Sequence, residues 1–346
     1  MSGPNDEVTI HEQIELFGLK NYVSMHPERE KDALIAHGAV QDEGKDITFL
    51  HRGFCSVGLP LRNPIKNTNA GSKSPIWSKS DGDFTLSITG SDFHMDENQQ
   101  EFRSGIPYGP KARLIAMYIA DQIHDPRRSL DDRSVEFGGI TQWLTNAGVG
   151  VTGGKRGSIT ATKEQLVRFL FARFTMIMRA KRGSLFGDDD EENIWFQGEN
   201  LIEAGVFHQC DLKSFMAGEY AKISWPSHVH LTDNTYNRFR KHSVPISATR
   251  LKTISNNASA MDIFCWLSYR LPKIPKGENV LVRWSDLLKQ FGDSSQESVF
   301  RRRYDQALKA AALAYPEAKF DVTAEGLVLH HSDPAVARKV LVGTTS

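Results

Sequence analysis

Asn279-Val280-Leu281-Val282-Arg283-Trp284-Ser285-Asp286-Leu287-Leu288-Lys289-Gln290-Phe291-Gly292, continued by Asp293-Ser294-Ser295-Gln296-Glu297-Ser298-Val299-Phe300-Arg301-Arg302-Arg303-Tyr304-Asp305-Gln306-Ala307-Leu308-Lys309, decides the fold. Asn279–Arg283 reads as a strand. Ser285 then caps a short helix that Gly292 ends. Ser294 and Glu297 have the spacing of a capping box and open a longer helix, from about 295 to 315, that Pro316 stops. Phe300, Tyr304, Ala307, Ala311 and Ala314 recur at steps of four and three and form its buried stripe. At ~100° per residue, Arg302, Asp305, Gln306 and Lys309 fall on the outward half, with Arg301 at its flank. Upstream, Ala260, Ile263, Phe264, Leu267 and Leu271 mark a helix stopped by Pro272. Downstream, Lys319–Thr323, the turn at Glu325-Gly326 and Leu327–His330 read as a hairpin. Helix, strand, short helix, long helix and hairpin is the order of a winged helix, a helix-turn-helix with a β-ribbon attached.

The same order occurs earlier in the chain. Pro110 opens a helix carrying Ala112, Ile115 and Ile119, stopped at Asp125-Pro126. Val135-Glu136-Phe137 is a short strand, and Ile140–Ala147 is a short helix closed by Gly148. A glycine-rich loop leads to a long helix from about Thr162 to Lys181, apolar nearly all round and therefore expected to be buried on several sides. Ile194–Phe196, Leu201–Ile202 and Ile223–Leu231 compete for the ribbon. Register supports a duplication. Ile115 and Ile119 match Ile263 and Leu267 at an offset of 148, while Trp143, Leu144 and Gly148 match Leu287, Leu288 and Gly292 at 144. The expected fold is α+β and helix-rich, with tandem winged-helix domains at 105–220 and 221–342. In front lie an acidic helical segment at 1–46 and a β-containing region with a linker at 47–104. The first segment carries helical patterns at Ile10, Ile14 and Phe17 and over His26–Val40. The second contains the alternating strand Phe84–Ile88 and a loop at Asn63–Ser74.

Charge is balanced in total and segregated locally. Forty-two Lys and Arg cancel forty-two Asp and Glu over 346 residues, so bulk charge names no partner. Residues 1–46 carry a net of −6, 151–187 a net of +7, and 220–252 are basic again around Arg238, Arg240 and Lys241. The acidic run Asp188–Glu192 separates the two basic stretches. Basic stretches on selected faces point to phosphate contact. The phosphate-gripping candidates are Lys155, Arg156, Arg168, Arg238, Arg240 and Lys241. Arg301, Arg302, Gln306 and Lys309 are the base-reading candidates, because Arg and Gln make bidentate contacts to guanine and adenine edges. Three distant cysteines (Cys55, Cys210, Cys265) fit a reducing compartment and no disulfide scaffold. The acidic start and the lack of a long apolar run lead us to expect a cytoplasmic protein, neither secreted nor membrane-inserted.

Enzymatic motifs are weaker. Gly148-Val149-Gly150-Val151-Thr152-Gly153-Gly154-Lys155-Arg156 departs from a P-loop: Val149 stands where the first Gly belongs, Arg156 replaces Ser or Thr, and helices flank it on both sides. Its backbone near Lys155 and Arg156 could still meet a phosphate. His228-Val229-His230 with Tyr236 has the form of a metal-dependent nicking site but offers no third ligand cluster. No cofactor, metal or catalytic set is expected.

Several blocks together resemble the RepA-type plasmid replication initiators. They are Ile106-Pro107-Tyr108-Gly109-Pro110-Lys111-Ala112-Arg113-Leu114, the Val135–Gly157 stretch, Glu164-Gln165-Leu166, Cys265-Trp266-Leu267-Ser268-Tyr269-Arg270-Leu271, Trp284–Gly292 and Tyr315-Pro316-Glu317-Ala318. Leu59-Pro60 followed by Ile76-Trp77 and a strand is similar to that family's upstream segment. The likeness runs over about residues 50–335. It implies a non-enzymatic initiator that binds repeated double-stranded sites (iterons) at a plasmid origin. It further implies recruitment of a host initiator and helicase, and a homodimer in equilibrium with monomer that represses its own gene. The alternatives are a winged-helix repressor without an initiation role, a metal-dependent nickase and a protein-interaction scaffold.

Overall fold

The computed structural model describes residues 9–64, 76–82, 84–95, 100–179, 194–293 and 296–336. Residues 1–8, most of the 63–74 loop, Lys181, Arg182, the Asp188–Glu192 run, Ser294 of the expected capping box and residues 337–342 lie outside the described residues. The described chain is α+β and rich in helix.

Three helices open it: α1 (Ile10–Phe17), α2 (Leu19–Met25) and α3 (Glu30–Val40). Thr9 and Glu12 cap α1 reciprocally. Ile14, Tyr22, Ala33 and Ala36 form a small core that rests on Leu313. Next come β1 (Ile47–His51), α4 (Arg52–Val57), β2 (Trp77–Ser80), β3 (Phe84–Thr89), β4 (Asp92–His94) and β5 (Glu101–Arg103). On β3, Leu86 and Ile88 are fully buried, as the alternation predicts.

The first repeat comprises α5 (Gly109–His124), β6 (Ser134–Glu136), α6 (Ile140–Asn146), α7 (Ser158–Leu170), β7 (Arg173–Arg179), β8 (Ile194–Asn200), β9 (Ile202–Gly205), α8 (Gln209–Met216) and β10 (His228–Leu231). The expected long helix at 162–181 is corrected. Helix α7 begins at Ser158 and ends at Leu170, and strand β7 takes over. Phe174 and Met176 are buried while Thr175 and Ile177 are half-buried, which is the two-residue period of a strand. A helical stripe running straight into such a strand mimics a helix that is apolar all round. Strands β9 and β10 pair antiparallel across a connection that contains α8, in the order β6-β10-β9, so no tight hairpin forms here as the expected ribbon. Strand β10 comes from beyond residue 220, so the first repeat's sheet draws its middle strand from the segment expected to open the second. Strand β8, which overlaps one stretch read as ribbon, instead joins β2-β3-β7-β8.

A connector of α9 (Asp233–His242), β11 (Ser243–Ser247) and α10 (Ala248–Thr253) follows, with β11 antiparallel to β1. The second repeat comprises α11 (Ala258–Arg270), β12 (Asn279–Arg283), α12 (Trp284–Phe291), α13 (Glu297–Ala314), β13 (Phe320–Val322) and β14 (Gly326–His330). Its sheet order, β12-β14-β13, again places the first strand beside the third. Ser285 does not cap α12. Arg283 holds the N-cap position without a side-chain bond, and Trp284 fastens the junction. Its backbone N–H donates to Glu325 O at 3.0 Å and its indole Nε1 to Thr323 O at 3.1 Å.

One apolar core runs from Ile35 and Leu50 through α5 and α11 to α13 and β14. Inside it the first helices of the two repeats are joined by Arg113 and Asp262, both buried. Arg113 Nε donates to Asp262 Oδ1 at 2.6 Å and Nη2 to Oδ2 at 2.5 Å. The remaining donors reach the carbonyls of Leu59, Pro60 and Gly109, so all five N–H groups of the guanidinium are used. Gly58, at φ +66°, lies against the same carboxylate. A Cβ there would come within 2.4 Å of Asp262 Oδ2.

A second buried arginine, Arg250, ties the connector to Asp42 at 2.6 Å and to Glu317 at 2.5 Å. Arg113→Ala should lower stability by about 3–5 kcal/mol in chemical denaturation, since it strands a buried carboxylate. Replacing both partners with Met and Leu should recover most of that loss. A double variant as unstable as the single one would contradict this reading of the pair.

Candidate nucleic-acid interface

Helix α13 separates its faces as its spacing predicts. Phe300, Tyr304, Ala307, Ala311 and Ala314 are buried, and the Tyr304 ring packs against Trp284, Phe291 and Phe300. The helix begins at Glu297 with Gln296 as N-cap and no side-chain cap. Arg302, Gln306 and Lys309 are exposed at positions i, i+4 and i+7, a stripe about 10 Å long. Arg302 has no ion-pair partner among the described residues. Lys309 meets Asp305 at 3.1 Å across one turn, an exposed pair worth too little to hold it there. Arg301 is less available. Its guanidinium stacks 4.7 Å from the Trp284 ring and lies 4.0 Å from Glu297. Arg303 leans toward Asp293 at 3.5 Å. Arg283, exposed at the end of β12, sits at the N-cap of α12, and the sequence reading did not single it out.

In the first repeat, Lys155 and Arg156 are exposed in the loop before α7. Thr152 and Ser158 close that loop, each backbone N–H donating to the other's hydroxyl at 2.9 and 2.8 Å. Gly157 permits the closure, since a Cβ would fall 2.3 Å from the carbonyl oxygens of Thr152 and Gly153. Helix α7 itself is mostly covered, with Thr162 and Gln165–Leu170 buried. Arg168 is therefore corrected as a phosphate contact. Its side chain is 9% exposed, bonded to Glu164 at 3.0 Å and to Ser104 O at 3.2 Å, and it lies between the rings of Tyr108 and Phe215. On α9, Arg240 and Lys241 are exposed and Arg238 is half-buried. The fold brings Lys241 and His242 to one cleft with Arg52 and Lys273. Sequence reasoning missed Arg52 and Lys273 because about 190 and 30 residues separate them from Lys241.

The family model for the plasmid encoded RepA protein matches residues 106–286, just over half of the chain. The chain belongs to the RepA family of plasmid-encoded proteins. The match covers the first repeat, the connector and the second repeat as far as the first turn of α12. Helix α13 lies past its end, so the exposed stripe stands on geometry alone. Among curated proteins none matches. Two solved structures are similar to this RepA-family chain. One is a selenomethionine derivative of domains 2 and 3 of RctB, with TM-score 0.43 and 11% identity, covering 74% of this chain and 82% of that one. The other is RctB domains 2–3 over its residues 155–483, with TM-score 0.39 and 11% identity, covering 77% and 83%.

The nicking motif is spread over two environments in this RepA-family protein. His228 and His230 face solvent on β10, their rings 5.5 Å apart, whereas Tyr236 is only 5% exposed on α9. Among the described residues no three His, Cys, Asp or Glu side chains are grouped to hold a metal, and no helix is long and apolar enough to cross a membrane. Cys55 and Cys265 are buried free thiols, and Cys210 is an exposed one.

Arg168→Met should cost roughly 2–4 kcal/mol of stability by stranding Glu164 and the Ser104 carbonyl. It should leave the salt dependence of DNA affinity unchanged. A shallower salt slope for this variant at full stability would return Arg168 to the phosphate-contacting set.

Proposed function

We propose that this plasmid replication initiator binds repeated double-stranded DNA sites at its origin through two winged-helix units. The observation that carries the reading is the recurring order of helix, strand and two helices, each followed by strands that complete a three-stranded sheet of the same order, with a basic, exposed stripe on α13 of the second unit. In that arrangement α13 is the recognition helix, placing Arg302 and Gln306 against base edges in a major groove. Lys309, Arg301 and Arg283 attend the phosphates beside it. The first unit contributes Lys155 and Arg156 from its closed loop, at the N-terminus of α7, where the helix dipole also favours a phosphate.

Family membership supports a role at a plasmid origin, and with it recruitment of host initiator and helicase. A monomer–dimer equilibrium and repression of its own gene complete the proposal, as does action in the cytoplasm without metal or cofactor. The burial of Tyr236 supports a non-enzymatic role, because a nicking tyrosine has to reach a phosphodiester.

Arg302→Ala should weaken binding to the origin repeat by about 1–3 kcal/mol and relax the preference at one base pair. Lys155→Gln should instead lower affinity for repeat and random duplex alike and reduce the salt slope by about one. Equal losses on both duplexes for Arg302→Ala would remove α13 as the reading helix. On a plasmid that depends on this gene, Arg302→Ala should abolish maintenance. A plasmid that persists with the variant, while transcription of the gene rises, would mark the protein as a repressor only.

A further inference from the structure

A trough of about 440 Å³ opens between α5, α6, α10 and the start of β1. Leu114, Met117, Tyr118 and Asp121 line it from positions i, i+3, i+4 and i+7 of α5, one helical face about 10 Å long. That face is graded. Its first turns are apolar and are joined by Phe137, Trp143 of α6 and Leu251 of α10. The Tyr118 ring stacks on Phe137 and meets Trp143 edge-on. Its last turn ends on Asp121, beside Asp46 and Thr48. Lys252 is the only base among the lining residues.

We propose that this trough binds a small organic cation, an ammonium group on an apolar stem. The ammonium is met by Asp121, and the stem lies along Met117, Tyr118 and Trp143.

Asp121 is held by neutral donors, the Thr48 hydroxyl at 2.8 and 2.9 Å and the Phe49 N–H at 2.7 Å. Lys252 is bonded to Asp46 instead, at 2.7 Å, where the Thr249 hydroxyl also donates at 3.2 Å. The trough thus sets two carboxylates against one amine that is already engaged. Burial pushes the Asp121 carboxyl up to about 7. The bonds from Phe49 and Thr48 oppose that rise, Asp46 adds to it, and the charge of Lys252 opposes it again. A further cation beside Asp121 gains an ionised partner in a desolvated place. Aromatic rings next to a carboxylate suit an organic cation. A metal ion is a poorer match, because it takes six or so oxygen ligands and rings occupy much of the wall. The volume is that of a small-molecule site.

The ammonium has two sources, a free amine or a lysine side chain of a bound protein. The inference stands apart from the duplex-reading proposal, since no residue of α13 and neither Lys155 nor Arg156 lines the trough.

The test titrates the full chain calorimetrically with pentylamine, with 1-pentanol and with Nα-acetyl-lysine methylamide. Saturable one-to-one binding of an amine is expected, with the alcohol about tenfold weaker or more because it brings no charge to the carboxylate. Asp121→Asn should weaken amine binding about tenfold or more. Its thermal midpoint should stay close to that of the unsubstituted chain, since the amide can keep the Phe49 and Thr48 bonds. Lys252→Gln should tighten binding about threefold by removing the resident cation. Amine affinity should also rise about tenfold from about pH 6 to about pH 8, as Asp121 ionises while the amine stays protonated. Asp46, Lys252 and Tyr118 face Asp121, and Asp121→Asn removes its titration while leaving theirs, so the rise should vanish in that variant. A lysine derivative that binds at least as tightly as pentylamine assigns a protein side chain, and a weaker one assigns a free amine. Pentanol as tight as pentylamine, unchanged affinity in Asp121→Asn, or no saturable binding of either amine would overturn the proposal.

Discussion

A single buried guanidinium fixes how the two repeats meet. Hydrophobic contact between α5 and α11 has no direction of its own and would tolerate sliding by a residue or a rotation. Arg113 removes that freedom, because its five donors have five places to go: two on Asp262 of α11 and three on carbonyls of its own helix and of the segment before it. A charge taken out of water is tolerated only when every partner is in place, so any other packing of these helices would leave donors unmet. Gly58 belongs to the same constraint, giving the carboxylate the room a side chain would take. Arg250 acts similarly at the other end, linking Asp42 and Glu317 through the connector. The repeats, the N-terminal helices and the connector consequently behave as parts of one body, with the stripe on α13 held in a set relation to the loop before α7.

The two units share the order of their three-stranded sheets and differ in what they expose. In the second, α13 is anchored along Phe300, Tyr304 and Ala307 and leaves its opposite side open. In the first, the corresponding helix is covered: Val167 joins a small core with Phe102, Phe215 and Ile223, and Arg168 is sealed between Tyr108 and Phe215. A covered helix cannot enter a groove, so the contact proposed for the first repeat is assigned to the exposed Lys155 and Arg156 of the preceding loop. The proposed division between reading bases and gripping backbone rests on this difference in burial.

Most of the second repeat was legible in the sequence because its signals are local. Stripes at four- and three-residue steps, Pro272, Gly292 and Pro316 each act within a turn or two of helix. Failures arose where the deciding partner is distant. Strand β7 reads as helix until β3 is known to pair with it, since Phe174 and Met176 show their alternation only against a neighbouring strand. Arg168 has the composition of a phosphate contact, and only the arrival of Tyr108, Phe215 and Ser104 reveals its structural role. Arg113 and Asp262 stand 149 residues apart, and no local pattern connects them. The cationic cleft was half visible, through Lys241, while Arg52 and Lys273 reached it by tertiary packing alone. Ser285 shows the opposite error: a good capping residue one step too late, displaced by the tryptophan that locks the hairpin to the helix.

Hydroxyl-radical footprinting of the intact protein on the plasmid DNA flanking its own gene examines the shared duplex most directly. A rigid pair of units predicts two protected patches per bound chain, about one helical turn apart on the same face of the duplex. Base-specific interference should be confined to the patch under α13. A single patch, or two whose spacing varies from repeat to repeat, would contradict the fixed two-unit engagement.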